Sequence, residues 1–336
     1  GTIWVVTLNG KLVALEPQDF IVCVLPGDPG YDPMGDNDFD GYTNQDEIDN
    51  GTDPCNGGSQ PQDFNKEAGG VLISDLNDPD DDSDGIPDHE DPFQLGDPLK
   101  DGSDAFELPV INELFSSNPD LKGYMGLGMT GLMNNGEAGP NWLLWLDRRD
   151  DPNDPNPNDI LGGAIGAMTM QMTSGTAYGT SNNQEKAFQY GVQGDQDTGE
   201  FIVAGGLVNF YDPLQIYGDT AAPEGELGIY IGDGFQSDYI KFVMTPSGLL
   251  VQQESNDIPG EPIVFPLNPQ ERPQGGMTLF FIVDPQTGQV EVAFSRDNDP
   301  RVSIGTLMAQ GKVLQAIQSP EVDLAVGMIG TSNQTG

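Results

Sequence analysis

Residues 36–47 read Asp-Asn-Asp-Phe-Asp-Gly-Tyr-Thr-Asn-Gln-Asp-Glu, and this stretch decides the fold of the first part of the chain. It matches the calcium-loop pattern D-x-[DN]-x-[DN]-G-x5-E at every defined position. Calcium takes about six to eight oxygen ligands, and a glycine at the sixth position allows the sharp turn that gathers them. The alternative is an acidic, solvated loop without an ion. The predicted calcium ligands are the side chains of Asp36, Asp38, Asp40, Asn44 and Glu47 and the main-chain carbonyl of Tyr42.

A second acidic loop follows at residues 80–91 and fills positions 1, 3, 5, 6 and 9 of the same pattern. An aspartate stands at its last position, where the pattern has glutamate. Because aspartate is shorter, we expect this site to be weaker or to recruit a neighbouring carboxylate, so that the chain holds at least two Ca²⁺ ions. The predicted ligands of the second loop are Asp80, Asp82, Asp84, the carbonyl of Ile86, Asp88 and Asp91. Further candidate ligands are Asp28, Asp32, Asp75 and Asp78.

The residues that flank the loops exclude an EF-hand, which needs a helix on each side. Residues 26–33 contain three prolines, which break any helix that would enter the first loop. After the loop, residues 43–50 have room for at most two helical turns before Gly51. Pro87 and Pro92 leave still less room after the second loop. Both loops are therefore predicted to bind calcium without the moving helix pair of a sensor.

These stretches resemble a known family of repeats. The pattern D-x-D-x-D-G-Y-T-N-x-D-E at residues 36–47, the run Asn-Gly-Thr-Asp-Pro-Cys at 50–55 and the run DDDSDGIPDHEDPF at 80–93 are similar to bacterial thrombospondin type 3 repeats. The resemblance covers roughly residues 26–104. It implies a rigid extracellular segment whose interior is filled by calcium ions. The irregular gap at residues 57–70 departs from the family's continuous stacking of repeats.

The charge of the chain restricts its partners. The formal net charge is −42, and 23 acidic residues lie between Asp28 and Asp104. Such a segment repels itself without counterions, so we expect its order to depend on calcium. Nucleic acid is excluded because no basic patch exists to neutralise phosphates, and no apolar run reaches the ~18 residues of a membrane span. Since the chain starts at Gly1 without a basic leader, we interpret it as a mature portion of a secreted, extracellular or cell-surface protein.

The two cysteines, Cys23 and Cys55, bracket the first calcium loop. Calcium loops of micromolar to millimolar affinity belong outside the cell, where a disulfide persists. We therefore predict a Cys23–Cys55 bond, and the alternative is a pair of free thiols.

From residue 106 onward, acidic residues become sparse and apolar residues alternate with polar ones. About a dozen short strands at short spacing predict an antiparallel β-sandwich, with hairpin turns at residues 246–248 and 284–288 and a short helix at 311–318. The predicted strands are 124–133, 141–147, 164–172, 187–193, 201–210, 228–232, 239–244, 249–253, 277–283, 289–294, 302–307 and 323–329.

Two stretches of this part carry a second resemblance. The runs Gly-Ile-Tyr-Ile-Gly-Asp-Gly at 228–234 and Asp-Leu-Ala-Val-Gly-Met-Ile-Gly-Thr-Ser at 323–332 are similar to concanavalin-like lectin/glucanase sandwiches of large bacterial surface proteins. The resemblance spans about residues 106–332. It implies a mostly β, antiparallel jelly-roll sandwich that often binds carbohydrate. The expected domains are thus 1–25, 26–104 and 105–336.

A polysaccharide site is one functional hypothesis for the sandwich. The candidate residues are Tyr211, Asp212, Tyr217, Asp219 and Tyr239, whose rings and carboxylates suit sugar recognition. The alternative is that the aromatic residues fill the core. We expect no enzymatic activity, because the single histidine, His89, lies inside the second acidic loop and we place Glu224 and Glu226 in a Pro-Gly loop.

The N-terminal strand suggests a different partner, a second copy of this chain. Residues 1–8 form a strand, and Asn9-Gly10 predicts a hairpin turn after it. The related sandwiches continue past the strand at 323–332, so a strand from the next copy could complete the sheet and build a filament. The alternatives are pairing within the chain and a hairpin that belongs to a preceding domain. The strand-exchange residues are Ile3, Trp4, Val5, Val6 and Leu8. The leading hypothesis is a calcium-stabilised structural or adhesive surface protein, and the alternative is a carbohydrate-binding module on a calcium-rigidified spacer.

Overall fold

The computed structural model describes two compact units, Gly1–Asp78 and Pro79–Gly336. The residues that it describes are 3–6, 12–15, 23–61, 63, 72–95, 106–107, 129–136, 174–208, 225–267, 276–297 and 299–332. The division between Asp78 and Pro79 places the first acidic loop in one unit and the second acidic loop in the other.

The first unit contains a hairpin and one short helix. Strands β1 (Ile3–Val6) and β2 (Leu12–Leu15) pair antiparallel, which confirms the predicted N-terminal hairpin. Helix α1 (Asn44–Asn50) has two turns at most, as predicted. It begins because the Thr43 side chain accepts a hydrogen bond from the Asp46 N–H. It ends at Gly51, whose φ of 69° is the left-handed conformation that glycine tolerates.

Polar groups fill the interior of the first unit. Among its described residues, Tyr42 is the one large hydrophobic side chain that is buried, and its hydroxyl donates to Asp63 Oδ2 at 2.9 Å. The Asp46 carboxylate accepts bonds from the Ser74 N–H at 2.9 Å and from the Asn77 amide at 2.6 Å. These contacts hold residues 72–77 against α1. The part of this unit whose burial the structure describes, residues 23–61, 63 and 72–78, therefore adds little apolar burial to stabilise it.

The second unit is a sandwich of two β-sheets. The larger sheet has the order β10-β9-β8-β7-β15-β5-β3, with β11 also paired to β9 and β4 to β5. The smaller sheet has the order β14-β13-β12-β6. All pairs are antiparallel except β3 with β5. The strands are β3 (Phe106–Glu107), β4 (Gly131–Leu132), β5 (Lys186–Gln193), β6 (Phe201–Val208), β7 (Glu226–Gly232), β8 (Asp238–Thr245), β9 (Gly248–Ser255), β10 (Ile258–Pro259), β11 (Ile263–Pro266), β12 (Gly276–Asp284), β13 (Gln289–Arg296), β14 (Val302–Met308) and β15 (Leu324–Thr331).

The main apolar core lies between the two sheets. Phe242 of the larger sheet packs on Phe281 of the smaller one, with ring centroids 6.0 Å apart, and Phe265 packs on Phe294 at 5.4 Å. Alternate residues of each strand point into this core because side chains of a strand alternate between its two faces. Helix α2 (Gly311–Gln318), which lies at its predicted position, adds three buried residues: Val313, Ala316 and Ile317.

The predicted fold class, a mostly β antiparallel sandwich, is confirmed, and so are the two hairpins at 246–248 and 284–288. Strand β11, which is flanked by Pro262 and ends at Pro266, was not predicted; among the described strands it pairs with β9 alone, and prolines are tolerated on such an edge. The prediction that Glu226 lies in a loop is wrong, because it begins β7 and is buried. The predicted strands at 141–147 and 164–172 lie outside the described residues.

Candidate metal centres

The first acidic loop gathers three carboxylates around one point. Oxygen atoms of Asp36, Asp38 and Asp40 all lie within 4.8 Å of one another. The turn that brings them together needs two left-handed residues, Phe39 with φ 63° and Gly41 with φ 108°. The N–H groups of Phe39 and Gly41 donate to the two oxygens of Asp36 at 2.6 and 3.0 Å. The predicted aspartate ligands are therefore brought together by local backbone geometry.

Glu47 closes this loop from the first turn of α1. Its side chain is fully buried, and neither carboxylate oxygen has a hydrogen-bond partner among the residues that the structure describes. Burial, together with the negative charges of Asp38, Asp40 and Asp36, raises the pKa of Glu47 to about 8. Burial also raises the pKa values of Asp38 and Asp40. Buried carboxylates without donors are unfavourable unless a cation compensates them, so the donor set fits a divalent metal ion.

The side chains of Asn44 and Tyr42 have structural partners. The Asn44 Oδ1 accepts the Asn37 N–H at 3.0 Å, and its Nδ2 donates to the Asp32 carbonyl at 2.7 Å. Asn44 therefore clamps the loop from inside. The Tyr42 ring is buried, with its hydroxyl on Asp63. The predicted role of the Tyr42 carbonyl as a metal ligand stays a prediction.

A disulfide joins the two segments that flank the first loop, as predicted. Cys23 and Cys55 are bonded, with their Cα atoms 5.5 Å apart. The Asn37 side chain, at the second position of the loop, donates to the Val24 carbonyl at 2.9 Å. The loop is thus tied to the chain beside Cys23, and the disulfide limits how far it can open.

The second acidic loop repeats the same turn. Oxygens of Asp80, Asp82 and Asp84 lie within 4.8 Å of one another. Ser83 and Gly85 adopt the left-handed conformation with φ of 59° and 91°, at the positions that Phe39 and Gly41 occupy in the first loop. The Gly85 N–H donates to Asp80 Oδ2 at 3.0 Å, the same distance as from Gly41 to Asp36.

The second loop differs from the first at its end. Asp88 clamps the loop as Asn44 does, since its Oδ1 accepts the Asp81 N–H at 3.0 Å. No helix follows in the described residues 85–95. Asp91, at the last position, is buried, and its Oδ1 accepts the Phe93 N–H at 2.8 Å. The side chain at position 12 therefore caps a turn instead of starting a helix.

The additional metal ligands that the sequence suggested are not part of either cluster. Within the described ranges, the clusters of three ligand groups contain only the aspartates at positions 1, 3 and 5 of each loop. One carboxylate oxygen of Asp28 accepts the Leu25 N–H at 3.3 Å, and one of Asp32 accepts the Met34 N–H at 3.0 Å. The suggested ligands outside the clusters are Asp28, Asp32, Asp75 and Asp78.

The candidate sugar-binding residues are mostly outside the described part of the chain: Tyr211, Asp212, Tyr217 and Asp219. Tyr239 is fully buried, and its hydroxyl donates toward Glu254 Oε2 at 3.2 Å and the Ala177 carbonyl at 3.3 Å. Its ring therefore offers no face to a sugar in this structure.

Tyr239 belongs to a buried ionisable cluster on the outer face of the larger sheet, formed with Glu226, Lys241 and Glu254. Burial raises the pKa of Glu254 to about 7. Lys241 Nζ lies 2.5 Å from Glu226 Oε2, and both side chains are buried. This cluster was not predicted from the sequence. The available signal was the two-residue period of β7, β8 and β9, which turns these side chains away from the core between the sheets.

The predicted strand-exchange residues are in or next to β1. Ile3, Trp4, Val5 and Val6 form β1 and pair with Leu12–Leu15, whereas Leu8 lies outside the described residues. Exchange of this strand between chains stays a prediction. No helix in the described part of the chain is long and apolar enough to cross a membrane.

No protein-family model matches the chain, and no curated protein matches it. Among solved structures, lectin II from Ulex europaeus is 12% identical, with a TM-score of 0.31 over 54% of this chain and 88% of that lectin. A functionally unknown protein from Saccharomyces cerevisiae is 11% identical, with a TM-score of 0.32 over 52% of this chain and 86% of its own. A mutant of the GH43 protein BlXynB from Bacillus licheniformis is 11% identical, with a TM-score of 0.30 over 45% of this chain, and the chain spans 30% of its length. These similarities are low, and the sandwich assignment rests on the sheets and core described above.

Proposed function

We propose that this protein is a calcium-stabilised extracellular structural protein, in which each acidic loop holds a Ca²⁺ ion. The observation that carries the proposal is Glu47, a fully buried carboxylate with no hydrogen-bond partner among the described residues, beside three converging aspartates. Oxygen-only ligands of this kind suit calcium or magnesium, and the flexible, crowded carboxylate set favours the larger calcium ion.

Calcium would act here as part of the folded structure. In residues 23–61, 63 and 72–78 of the first unit, Tyr42 is the one large hydrophobic side chain that is buried, so apolar burial around the first loop contributes little stability. An ion that binds only the folded form adds stability by mass action. The same ion removes the mutual repulsion of Asp36, Asp38, Asp40 and Glu47. The two effects together give the calcium its structural role.

An extracellular location is supported by the Cys23–Cys55 disulfide, which persists in oxidising compartments. Loops with micromolar to millimolar affinity are filled at extracellular calcium levels. The proposal includes no enzymatic step. Among the described residues, Glu226 and Glu254 on the outer face of the larger sheet are both buried, and a substrate needs access to a catalytic carboxylate.

Substitution of one carboxylate tests the proposal. Glu47→Gln keeps the shape of the side chain and removes its charge, so we expect the calcium affinity of the first loop to fall by at least about tenfold, as expected for the loss of one charged, bidentate ligand. Calorimetric titration of the full chain measures this change. Glu90→Gln removes the same charge from a side chain that is 69% exposed, and should leave both affinities within about twofold. Absence of calcium binding by the unsubstituted chain at millimolar calcium would contradict the proposal.

Carbohydrate binding by the sandwich is a second candidate function. Tyr178 favours it, because its side chain is half exposed in a segment that crosses the outer face of the larger sheet. That segment is held there by the Tyr239 hydroxyl on the Ala177 carbonyl and by the Thr331 hydroxyl on the Gly175 carbonyl. A glycan array screens for the ligand, and Tyr178→Ala should weaken binding about five- to tenfold if the ring stacks on a sugar. An array without any bound glycan would contradict this candidate.

A further inference from the structure

The backbone of the second acidic loop is held by a side chain of the sandwich. Asn134, which follows β4, is 3% exposed, and its Nδ2 donates to the carbonyls of Asp88 and Asp91 at 2.8 and 2.7 Å. These two residues occupy positions 9 and 12 of the loop. One amide therefore binds the main chain at the point where the last metal ligands are expected.

Two further side-chain amides bind carbonyl groups at the end of the loop and directly after it. Gln94 Nε2 donates to the Asp91 carbonyl at 2.6 Å, and its Oε1 accepts the Leu132 N–H at 3.2 Å. Gln189 Nε2 on β5 lies 2.5 Å from the Pro92 carbonyl and 3.1 Å from the Gly234 carbonyl. All three side chains are almost completely buried. We name Gln94, Asn134 and Gln189 the amide seam.

The amide seam is part of the larger sheet. The Tyr230 hydroxyl donates to Gln189 Oε1 at 2.8 Å, and the Asn134 N–H donates to the Gly234 carbonyl, in the β7–β8 turn, at 2.8 Å. A Cβ added at Gly131 would clash with the Pro92 carbonyl, and one added at Gly234 would clash with the Pro92 ring. The chain after the loop therefore lies directly against the sheet, with little room to shift.

Buried amides make this contact sensitive to loop position. If the loop moves when its ion leaves, the seam amides lose acceptors that water cannot replace, which costs free energy. The loop conformation that accepts the hydrogen bonds of the amide seam must therefore also be the conformation that binds the ion. Binding of the ion then stabilises the hydrogen bonds of the amide seam. Because the coupling is reciprocal, these hydrogen bonds also raise the affinity of the loop for the ion.

We propose that the amide seam positions the main chain of Asp88 and Asp91 for calcium, so that calcium in the second loop and native packing of the sandwich stabilise each other. This inference rests on the proposed function, and Asn134 is its main positioning residue. The first loop belongs to the other compact unit and provides the internal reference.

Calcium titration of the full chain, followed at single amides by NMR, tests the inference. The N–H groups of Gly85 and Gly41 donate to the first aspartates of the second and first loops, so their resonances report each loop separately. Asn134→Leu removes both donors at similar volume. The midpoint of the titration is the calcium concentration at which an amide resonance has completed half of its change. We expect this midpoint to rise about tenfold at Gly85, as for the loss of two hydrogen bonds. At Gly41 it should change less than twofold.

Gln236→Met is the matched control. Gln236 is 2% exposed, and its Nε2 donates to the Met133 and Gln184 carbonyls at 3.0 and 2.9 Å, not to the loop. The Gln236→Met substitution should lower the melting temperature, but the midpoint of the calcium titration at Gly85 should stay within twofold of its value in the unsubstituted chain. Gln94→Met is a second variant of the seam and should act as Asn134→Leu does.

Three results overturn the inference. The first is a midpoint of the calcium titration at Gly85 that neither Asn134→Leu nor Gln94→Met changes. The second is an equal loss of calcium affinity at Gly85 in Gln236→Met, which would show a general effect of sandwich stability. The third is an absence of any response at Gly85 and Gly41 in the unsubstituted chain, and this result alone would also overturn the calcium proposal.

Discussion

Chelation of calcium should lower the melting temperature of the protein and open residues 28–104 to proteases. At a calcium concentration about 1,000 times the dissociation constant, each ion contributes about 4 kcal/mol to the free energy of unfolding. Without the ions, the carboxylates of each loop repel one another, and the described contacts around α1, which are mostly polar, do little to oppose this repulsion. Limited proteolysis with mass spectrometry, with and without excess chelator, locates the cleavage sites.

The sandwich core provides the control for this experiment. Strands β7, β8 and β12 bury apolar side chains between the sheets, and this burial remains when calcium leaves, so peptides from 226–245 and 276–296 should stay protected in chelator. Cleavage rates in residues 28–104 that are equal with and without chelator would contradict the prediction. So would a melting temperature that calcium does not change.

Lys241→Met should destabilise the sandwich by about 3–5 kcal/mol. Lys241 Nζ lies 2.5 Å from Glu226 Oε2, and the two side chains are 4% and 2% exposed. Loss of the lysine removes a positive charge that stabilises a buried carboxylate, and breaking a buried ion pair in this way costs about 3–5 kcal/mol in other proteins. The positive charge of Lys241 also favours ionised Glu254, so its loss should raise the Glu254 pKa further. Denaturant unfolding of the full chain in saturating calcium measures the change.

Two comparisons make this prediction specific. The double variant Lys241→Met with Glu226→Gln removes both charges and should recover part of the lost stability, because the buried negative charge at position 226 is removed together with the lysine. Lys312→Met breaks a contact of 3.2 Å with Asp233, but the Lys312 side chain is 56% exposed, so the cost should be about 1 kcal/mol or less. A loss below about 1 kcal/mol for Lys241→Met would contradict a buried, compensating role for this lysine.

The acidic loops and the short elements could be read from the sequence because their determinants are local. In each loop, the glycine at position 6 and the aspartates at positions 1, 3 and 5 lie within a few residues of one another, and the turn follows from their backbone conformation. Helix α1 likewise depends on Thr43 before it and Gly51 after it. The apolar alternation of β12 and the turn Asp284–Gly288 predicted a hairpin for the same reason.

The sequence also indicated which side chains could bind a cation, but it did not indicate which of them are buried. Glu47 matched position 12 of the pattern, whereas its complete burial, without a hydrogen-bond partner among the described residues, comes from packing around α1. Tyr239 matched a sugar-binding aromatic equally well, and tertiary packing buries it instead. Exposure is a property of the folded chain, and residue type alone leaves it open.

Only the tertiary structure decided the contacts between distant residues. Strand β15 pairs with β7 and β5, which are about 100 and 140 residues away, and an apolar alternation cannot specify such partners because many strands share it. The cluster of Glu226, Lys241 and Glu254 arises from three strands side by side. The amide seam joins residues 94, 134 and 189 for the same reason. The sequence alone determined the pattern of acidic residues and glycine in the two loops, and long-range packing decided that the second loop belongs to the sandwich, because buried amides far along the chain bind its backbone.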